Sequence, residues 1–195
     1  MLAVMLMELL GGNIILLPPA VKRNILASRG TKEFSLQGNK DESNTILLHG
    51  EVIDAETGRL VASRVYIQDE NGQWFFPKSE AAAGSAVPYR NQRSDRPKSA
   101  EMHTTLSPHP FVVAVPPGRY KITVERGKEY LPQSRQVTVD SKPANLQFKL
   151  ERWIKMEALG WFSGDTHVHR HLEELPNVML AEDLNVTFPL LYLGH

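Results

Sequence analysis

The chain has 195 residues, with 22 lysines and arginines balanced by 22 aspartates and glutamates, and it contains no cysteine. The even charge balance argues against a broad basic surface for nucleic acid. The absence of cysteine excludes disulfides and thiolate metal sites. The length allows one or two domains with a core of ordinary size.

Residues 1–44 combine an apolar N-terminal segment with a polar linker. Met1–Ala20 is strongly apolar, but Glu8 and a Gly-Gly-Asn break interrupt it. The segment lacks the positive start and the clear cleavage site of a secretory leader. It is also too short and too interrupted for a stable membrane span. A degenerate leader and an N-terminal arm, packed or disordered, therefore stand as alternatives.

Residues 45–152 alternate apolar and polar side chains in short runs that turn signals separate. The apolar positions of these runs are Ile46, Leu48 and Val52, then Phe111, Val113 and Val115, then Tyr120, Ile122 and Val124, then Val137 and Val139, and finally Leu146, Phe148 and Leu150. Alternation with period two is typical of half-buried strands. The pattern predicts a mainly β fold, an antiparallel β-sandwich over 45–152.

Residues 77–107 interrupt this pattern and predict an irregular loop. A stretch of this length without periodicity is typical of a functional or a disordered loop. Its basic residues, Arg90, Arg93, Arg96 and Lys98, could contact an anionic partner, but a solvated loop is the simpler interpretation. The histidines of this region and of the neighbouring strand, His49, His103 and His109, are predicted to lie at the surface.

Two stretches of the sandwich region resemble a known module. Gly50–Asp54 with Thr57-Gly58, and the Pro-Pro-Gly turn and strand within Val115–Ile122, are similar to parts of a carboxypeptidase-regulatory-like domain. The resemblance covers about 100 residues and implies an immunoglobulin- or transthyretin-like β-sandwich that serves as an accessory module. No residue of this region suggests catalysis. The resemblance also implies an extracytoplasmic location, periplasmic or secreted.

Residues 153–195 change to a pattern of strand, helix and strand. Leu159–Ser163 is predicted to form a short buried strand, Asn177–Leu184 has helical spacing, and Val186–Leu193 is a second apolar run. This order is typical of the first βαβ unit of a parallel sheet. Such a unit exposes sheet edges, so it should be poorly ordered unless it packs on the sandwich or on a partner chain.

Asp165, His167 and His169 follow the first of these strands at spacings of two residues. In an extended segment such residues project to one side, so the two imidazoles should lie together with the carboxylate beside them. Neutral imidazole is the commonest protein ligand for zinc and related metals. The neighbouring Glu173, Glu174 and His171 are more simply interpreted as solvated residues than as ligands.

The segment Gly164–His169, with the sequence Gly-Asp-Thr-His-Val-His, resembles the first motif of the polymerase-and-histidinol-phosphatase (PHP) superfamily, closest to its CehA/McbA-like branch. The resemblance implies a distorted (β/α)₇ barrel that hydrolyses phosphoester, ester or amide-type bonds of a small molecule. By this resemblance His167, His169 and His195 are ligands of zinc, manganese or iron, and Asp165 is a catalytic candidate. The family has aspartate where Gly194 stands here.

Residues 153–195 match only the start of such a barrel. The chain is therefore interpreted as the N-terminal part of a truncated PHP-type hydrolase, with little activity by itself. The competing hypothesis is a non-enzymatic extracytoplasmic binding or adhesion module with a vestigial tail. Neither hypothesis includes nucleic acid as a partner.

Overall fold

A computed structural model describes residues 44–92 and 100–190 of the chain. The apolar segment Met1–Ala20 and His195 lie outside these residues. The fold is mainly β, as predicted, and two larger sheets make up its first part. The first sheet has the strand order β10-β1-β7-β4, in which the strands are β1 (Ile46–Asp54), β4 (Lys78–Ser79), β7 (Phe111–Val115) and β10 (Ala144–Leu150).

The second sheet is built around β2 and has the strand order β5-β6-β2-β8-β9. Its strands are β2 (Ser63–Asp69), β5 (Ala86–Gln92), β6 (Ala100–Leu106), β8 (Gly118–Glu125) and β9 (Gln133–Val139). A two-residue strand, β3 (Trp74–Phe75), pairs with the end of β2 beyond β6.

Alternate residues from both sheets meet in a single core. The largest fully buried side chains include Leu48, Ile67, Phe111, Tyr120, Ile122, Phe148 and Leu150. Five of these seven occupy apolar positions of the predicted strands in 111–150. The burial of these alternating positions confirms the period-two prediction in this part of the chain.

One strand pair departs from the predicted antiparallel arrangement. β1 pairs with β7 in the antiparallel sense but with β10 in the parallel sense, with Leu48 opposite Ala144 and Asp54 opposite Leu150. The alternation of apolar residues is the same in both directions, so the sequence pattern does not encode the sense of pairing.

The prediction of an irregular loop over 77–107 is wrong for much of this segment. Ala86–Gln92 and Ala100–Leu106 form the antiparallel pair β5–β6, and β5 is the edge strand of its sheet. An edge strand needs no continuous apolar face and tolerates proline, and β5 contains Pro88. Its polar composition therefore concealed the strand. Arg90 lies on β5, with its guanidinium over the Phe76 ring, whereas Arg93, Arg96 and Lys98 lie outside the described residues.

The C-terminal unit is a parallel strand pair joined by one helix. Strand β11 (Gly164–Val168) pairs in parallel with β12 (Val186–Pro189), and helix α1 (Leu175–Ala181) connects them. The βαβ order is as predicted, but the details differ. The helix begins at Leu175, and its buried residues are Leu175, Asn177, Met179 and Ala181.

The predicted buried strand over Leu159–Ser163 is wrong. A 3₁₀ turn occupies Met156–Leu159, Gly160 adopts a left-handed conformation, and strand β11 begins only at Gly164. Trp161 and Phe162 are 67% and 62% exposed. Apolar composition suggested a strand here, but the left-handed Gly160 ends the turn and directs the following side chains outward.

Within the part of the chain that the structure describes, no helix has the length and apolar character needed to cross a membrane.

Candidate metal site

The end of strand β11 brings the two predicted imidazoles together, with His167 in the strand and His169 directly after it. The Nε2 atoms of His167 and His169 are 3.0 Å apart, and the rings meet edge to face with their centroids 4.8 Å apart. Both residues are exposed. Two nitrogen lone pairs repel at this distance, so the pair is stable only with a proton shared as an N–H···N hydrogen bond or with a cation bound between the rings.

The separation also suits a shared metal ion. With metal–nitrogen distances of about 2.05 Å, two nitrogens 3.0 Å apart subtend an angle of about 94° at the metal. This value lies between the angles of octahedral and tetrahedral coordination. The two imidazoles therefore fit adjacent ligand positions of a divalent cation.

Asp165 is already engaged with the backbone of the same strand. Its Oδ1 accepts a hydrogen bond of 2.9 Å from the backbone N–H of His167. This contact ties the exposed Asp165 carboxylate to the backbone that carries His167. Asp165 thus stabilises the backbone conformation at the first histidine.

Among the described residues, no group of three or more His, Cys, Asp or Glu side chains is arranged to hold a metal ion. His195, the third predicted ligand, lies outside them. His171 and Glu173 are exposed, and the His171 carbonyl accepts the backbone N–H groups of Glu174 and Leu175. This position at the start of α1 is consistent with the interpretation of these three residues as solvated residues.

The histidine pair lines a cavity of about 400 Å³. One wall is apolar and comes from α1 and the segment after it, through Leu175, Val178, Met179 and Leu184. The other lining side chains include Lys128, Arg170, Glu182 and Thr187. Lys128 belongs to the turn between β8 and β9, so the first part of the chain contributes to the surroundings of the histidines.

The C-terminal unit packs on the second sheet. The side-chain amide of Asn177 on α1 donates to the carbonyl of Thr105 on β6 at 3.0 Å, and Asn177 is 7% exposed. The guanidinium of Arg170 lies 4.4 Å from the centroid of the Tyr89 ring on β5. The βαβ unit was expected to be poorly ordered unless it packs on the sandwich or on a partner chain. The structure shows it packed on the strands of the first part of the chain.

Two arginines bind a single carboxylate at the end of α1. Arg126 Nη2 donates to Asp183 Oδ1 at 2.6 Å, and Arg152 Nη2 donates to Asp183 Oδ2 at 2.7 Å. Arg126 also donates to the carbonyls of Ala62 and Leu180. The three charged side chains are between 12% and 19% exposed, so this network holds the helix end against the sheets in a poorly solvated environment.

Gly127 makes this close approach possible. Its φ of +47° is left-handed, and its backbone N–H donates to the carbonyl of Ala181 at 3.1 Å. A Cβ on residue 127 would lie 2.6 Å from Asp183 Cβ and 2.7 Å from the carbonyl oxygen of Glu182. The absence of a side chain therefore lets the β8–β9 turn touch the backbone that follows α1.

The prediction that His103 lies at the surface is wrong. It is 3% exposed and sits between the rings of Tyr66 and Tyr89, at centroid distances of 5.0 and 5.5 Å. Burial, together with the positive charges of Arg64 and Arg170, lowers the pKa of His103 to about 4. The pairing of β6 between β5 and β2 causes this burial.

The free energy of unfolding should therefore decrease at acid pH, because protonation of buried His103 is unfavourable in the folded protein. Because the pKa in the folded protein is below the ordinary value of 6.5, the contribution of neutral His103 is fully present above pH 6.5 and is lost as the pH falls towards 4. The expected loss is about 3 kcal/mol. Urea unfolding at several pH values should show a shallower decline for His103→Gln than for the wild-type protein. Parallel declines would contradict the assignment.

Sequence reasoning found the histidine pair but missed the side chains around it. Arg126, Lys128 and Asp183 stand in turns, where charged residues are ordinarily solvated. The one available signal was Gly127 in an Arg-Gly-Lys turn, because glycine there favours a left-handed backbone. Nothing in the sequence pattern indicated that this turn would meet the end of α1.

A scan against protein-family models found no matching family, and a search of curated proteins found no match to this chain.

Proposed function

We propose that residues 153–190 carry the first ligand pair of a PHP-type, metal-dependent hydrolase. The observation that supports it best is the 3.0 Å separation of the Nε2 atoms of His167 and His169 at the edge of a cavity. Zinc, manganese and iron are the metals to which such imidazole donors are suited. His195 is the proposed further ligand, and it lies outside the described residues.

A divalent cation supplies Lewis-acid chemistry to the hydrolysis of a phosphoester, ester or amide bond. The chain's own residues would bind the cation and orient its ligands. His167 and His169 supply the donors, and Asp165 binds the backbone N–H of His167. Because two imidazoles hold a cation weakly, little hydrolysis is expected from the described residues alone.

The first part of the chain is proposed to be a carboxypeptidase-regulatory-like β-sandwich. Two sheets that share one core support this proposal. So does the turn at Pro116–Gly118, where the Tyr120 hydroxyl donates to the Pro116 carbonyl at 2.6 Å. An extracytoplasmic location, periplasmic or secreted, belongs to the same proposal, because it follows from the resemblance of this module.

A second candidate is a non-enzymatic binding or adhesion module. It is favoured by an exposed aromatic surface beside the unit, where Trp153, Trp161 and Phe162 line a cavity of about 390 Å³. Each of these side chains is more than 60% exposed. Exposed apolar groups collected in this way are typical of interaction sites.

Zinc titration discriminates between the two candidates. Isothermal titration of the tag-free chain should show one zinc site that the double variant His167→Ala/His169→Ala loses, because both donors are removed. The matched control is His171→Ala, an exposed histidine of the same segment that should leave the zinc affinity unchanged. Equal zinc binding by the double variant and the wild-type chain would favour the binding module.

A further inference from the structure

Two positive side chains line the cavity of the histidine pair without a carboxylate partner among the described residues. They are Lys128, from the β8–β9 turn, and Arg170, directly after the pair. Within the ranges 44–92 and 100–190, neither takes part in a salt bridge, and the contact of Arg170 is with the Tyr89 ring. Cations without a paired carboxylate at a cavity raise its local positive potential.

The acidic side chains of the same wall are already paired or bonded. Glu182 Oε1 lies 3.2 Å from Arg64 Nη1, and Asp165 accepts the backbone N–H of His167. Their charge is therefore partly compensated by groups of the protein, whereas no described carboxylate compensates Lys128 or Arg170. Lys128 and Arg170 are therefore the charged groups of this cavity that are most available to an anion.

The backbone of Lys128 is held in place, whereas its ammonium group makes no ion pair with any described residue. Its carbonyl accepts the indole N–H of Trp153 at 2.9 Å, and the preceding residue, Gly127, donates to Ala181. The turn therefore has a fixed position relative to α1. A flexible side chain on a fixed backbone suits the capture of an anionic group.

The remaining wall is apolar and suits the rest of such a ligand. Leu175 and Met179 are 2% exposed, and Val178 and Leu184 are half-buried beside them. Thr187, which lines the same cavity, is fully buried, and its hydroxyl has no hydrogen-bond partner among the described residues. Apolar lining with a few polar groups is typical of small-molecule sites.

We propose that this cavity binds an organic oxyanion with an apolar body, and that Lys128, contributed by the first part of the chain, anchors the oxyanion. Phosphonate, phosphate and carboxylate groups all provide such an oxyanion. If the proposed hydrolase function is right, this oxyanion is the chemical class of the substrate. Binding of the oxyanion to the cavity does not itself depend on the proposed function.

Binding of phenylphosphonate to the metal-free chain in EDTA tests the proposal. The wild-type chain should bind phenylphosphonate, and Lys128→Ala should weaken the affinity about tenfold, since a hydrogen bond to a charged group is lost. Lys128→Arg should keep most of the affinity. The matched control Lys121→Ala removes an exposed lysine of β8 outside the cavity and should change nothing.

Two further ligands identify what the site recognises. Inorganic phosphate should bind more weakly than phenylphosphonate because it lacks the apolar body, and benzoate shows whether a carboxylate can replace the phosphonate. Equal affinity of the Lys128→Ala and wild-type chains, or equal affinity for inorganic phosphate and phenylphosphonate, would overturn the proposal. Because EDTA removes metal, this result is independent of the zinc titration, so the site proposed here and the proposed metal function can fail separately.

Discussion

Gly127→Ala should lower the free energy of unfolding by about 3–4 kcal/mol. An alanine at the left-handed φ of +47° costs about 1–2 kcal/mol by itself. The rest comes from its Cβ, which would lie 2.7 Å from the backbone oxygen of Glu182. Backbone cannot move aside as a side-chain tip can, so the β8–β9 turn must separate from the end of α1. Urea unfolding measures the loss.

Gly58→Ala is the matched control for this substitution. Gly58 has a φ of +67°, and no atom lies within 4 Å of the position that a Cβ would take there. It should therefore show only the conformational cost of about 1–2 kcal/mol. The difference between the two variants isolates the contact between the turn and the helix. If both variants lose the same free energy, the close packing at Gly127 is not energetically important.

Asp183→Asn should destabilise the protein by about 3 kcal/mol, because it leaves two poorly solvated guanidinium groups without their shared anion. Asp183 has a φ of +53°, and asparagine tolerates this left-handed conformation as well as aspartate does. The substitution therefore removes charge with little backbone strain. The loss should disappear in part when Arg152→Met is added, as a double-mutant cycle measures.

Hydrogen exchange locates the damage. In Asp183→Asn, amides of α1 should exchange faster, whereas amides of β1 and β10, in the first sheet, should keep their protection until global unfolding. Asp140→Asn, which changes an exposed aspartate after β9, should leave both regions unchanged. Unchanged exchange of α1 in Asp183→Asn would contradict the role of this carboxylate in holding the helix.

The central strands of the fold were predictable because burial on one face imposes a period of two. Tyr120, Ile122 and Val124 alternate with polar residues and are all buried as expected. The edge pair β5–β6 was not predictable in the same way. Its register with β2 depends on hydrogen bonds between backbones, and a polar edge strand such as Ala86–Gln92 carries no apolar alternation to reveal it.

The histidine pair was predictable for the same local reason, because residues two apart in an extended segment share a side. The surroundings of the pair depend on contacts between distant parts of the chain. Arg126 and Asp183 are 57 residues apart in sequence, and no local pattern links them. Likewise, His103 is buried only because β5 and β2 flank its strand, which composition alone cannot show.

The parallel pairing of β1 with β10 has a mechanical consequence. These strands are the first and last of the two larger sheets, and their register runs from Leu48–Ala144 to Asp54–Leu150. Tension on the chain at both sides of these sheets would pull the two strands lengthwise in opposite directions. The hydrogen bonds between them would then bear the load together, in shear, whereas an antiparallel pair would peel open one bond at a time. The first part of the molecule should therefore resist extension more strongly than it would if these two strands were antiparallel.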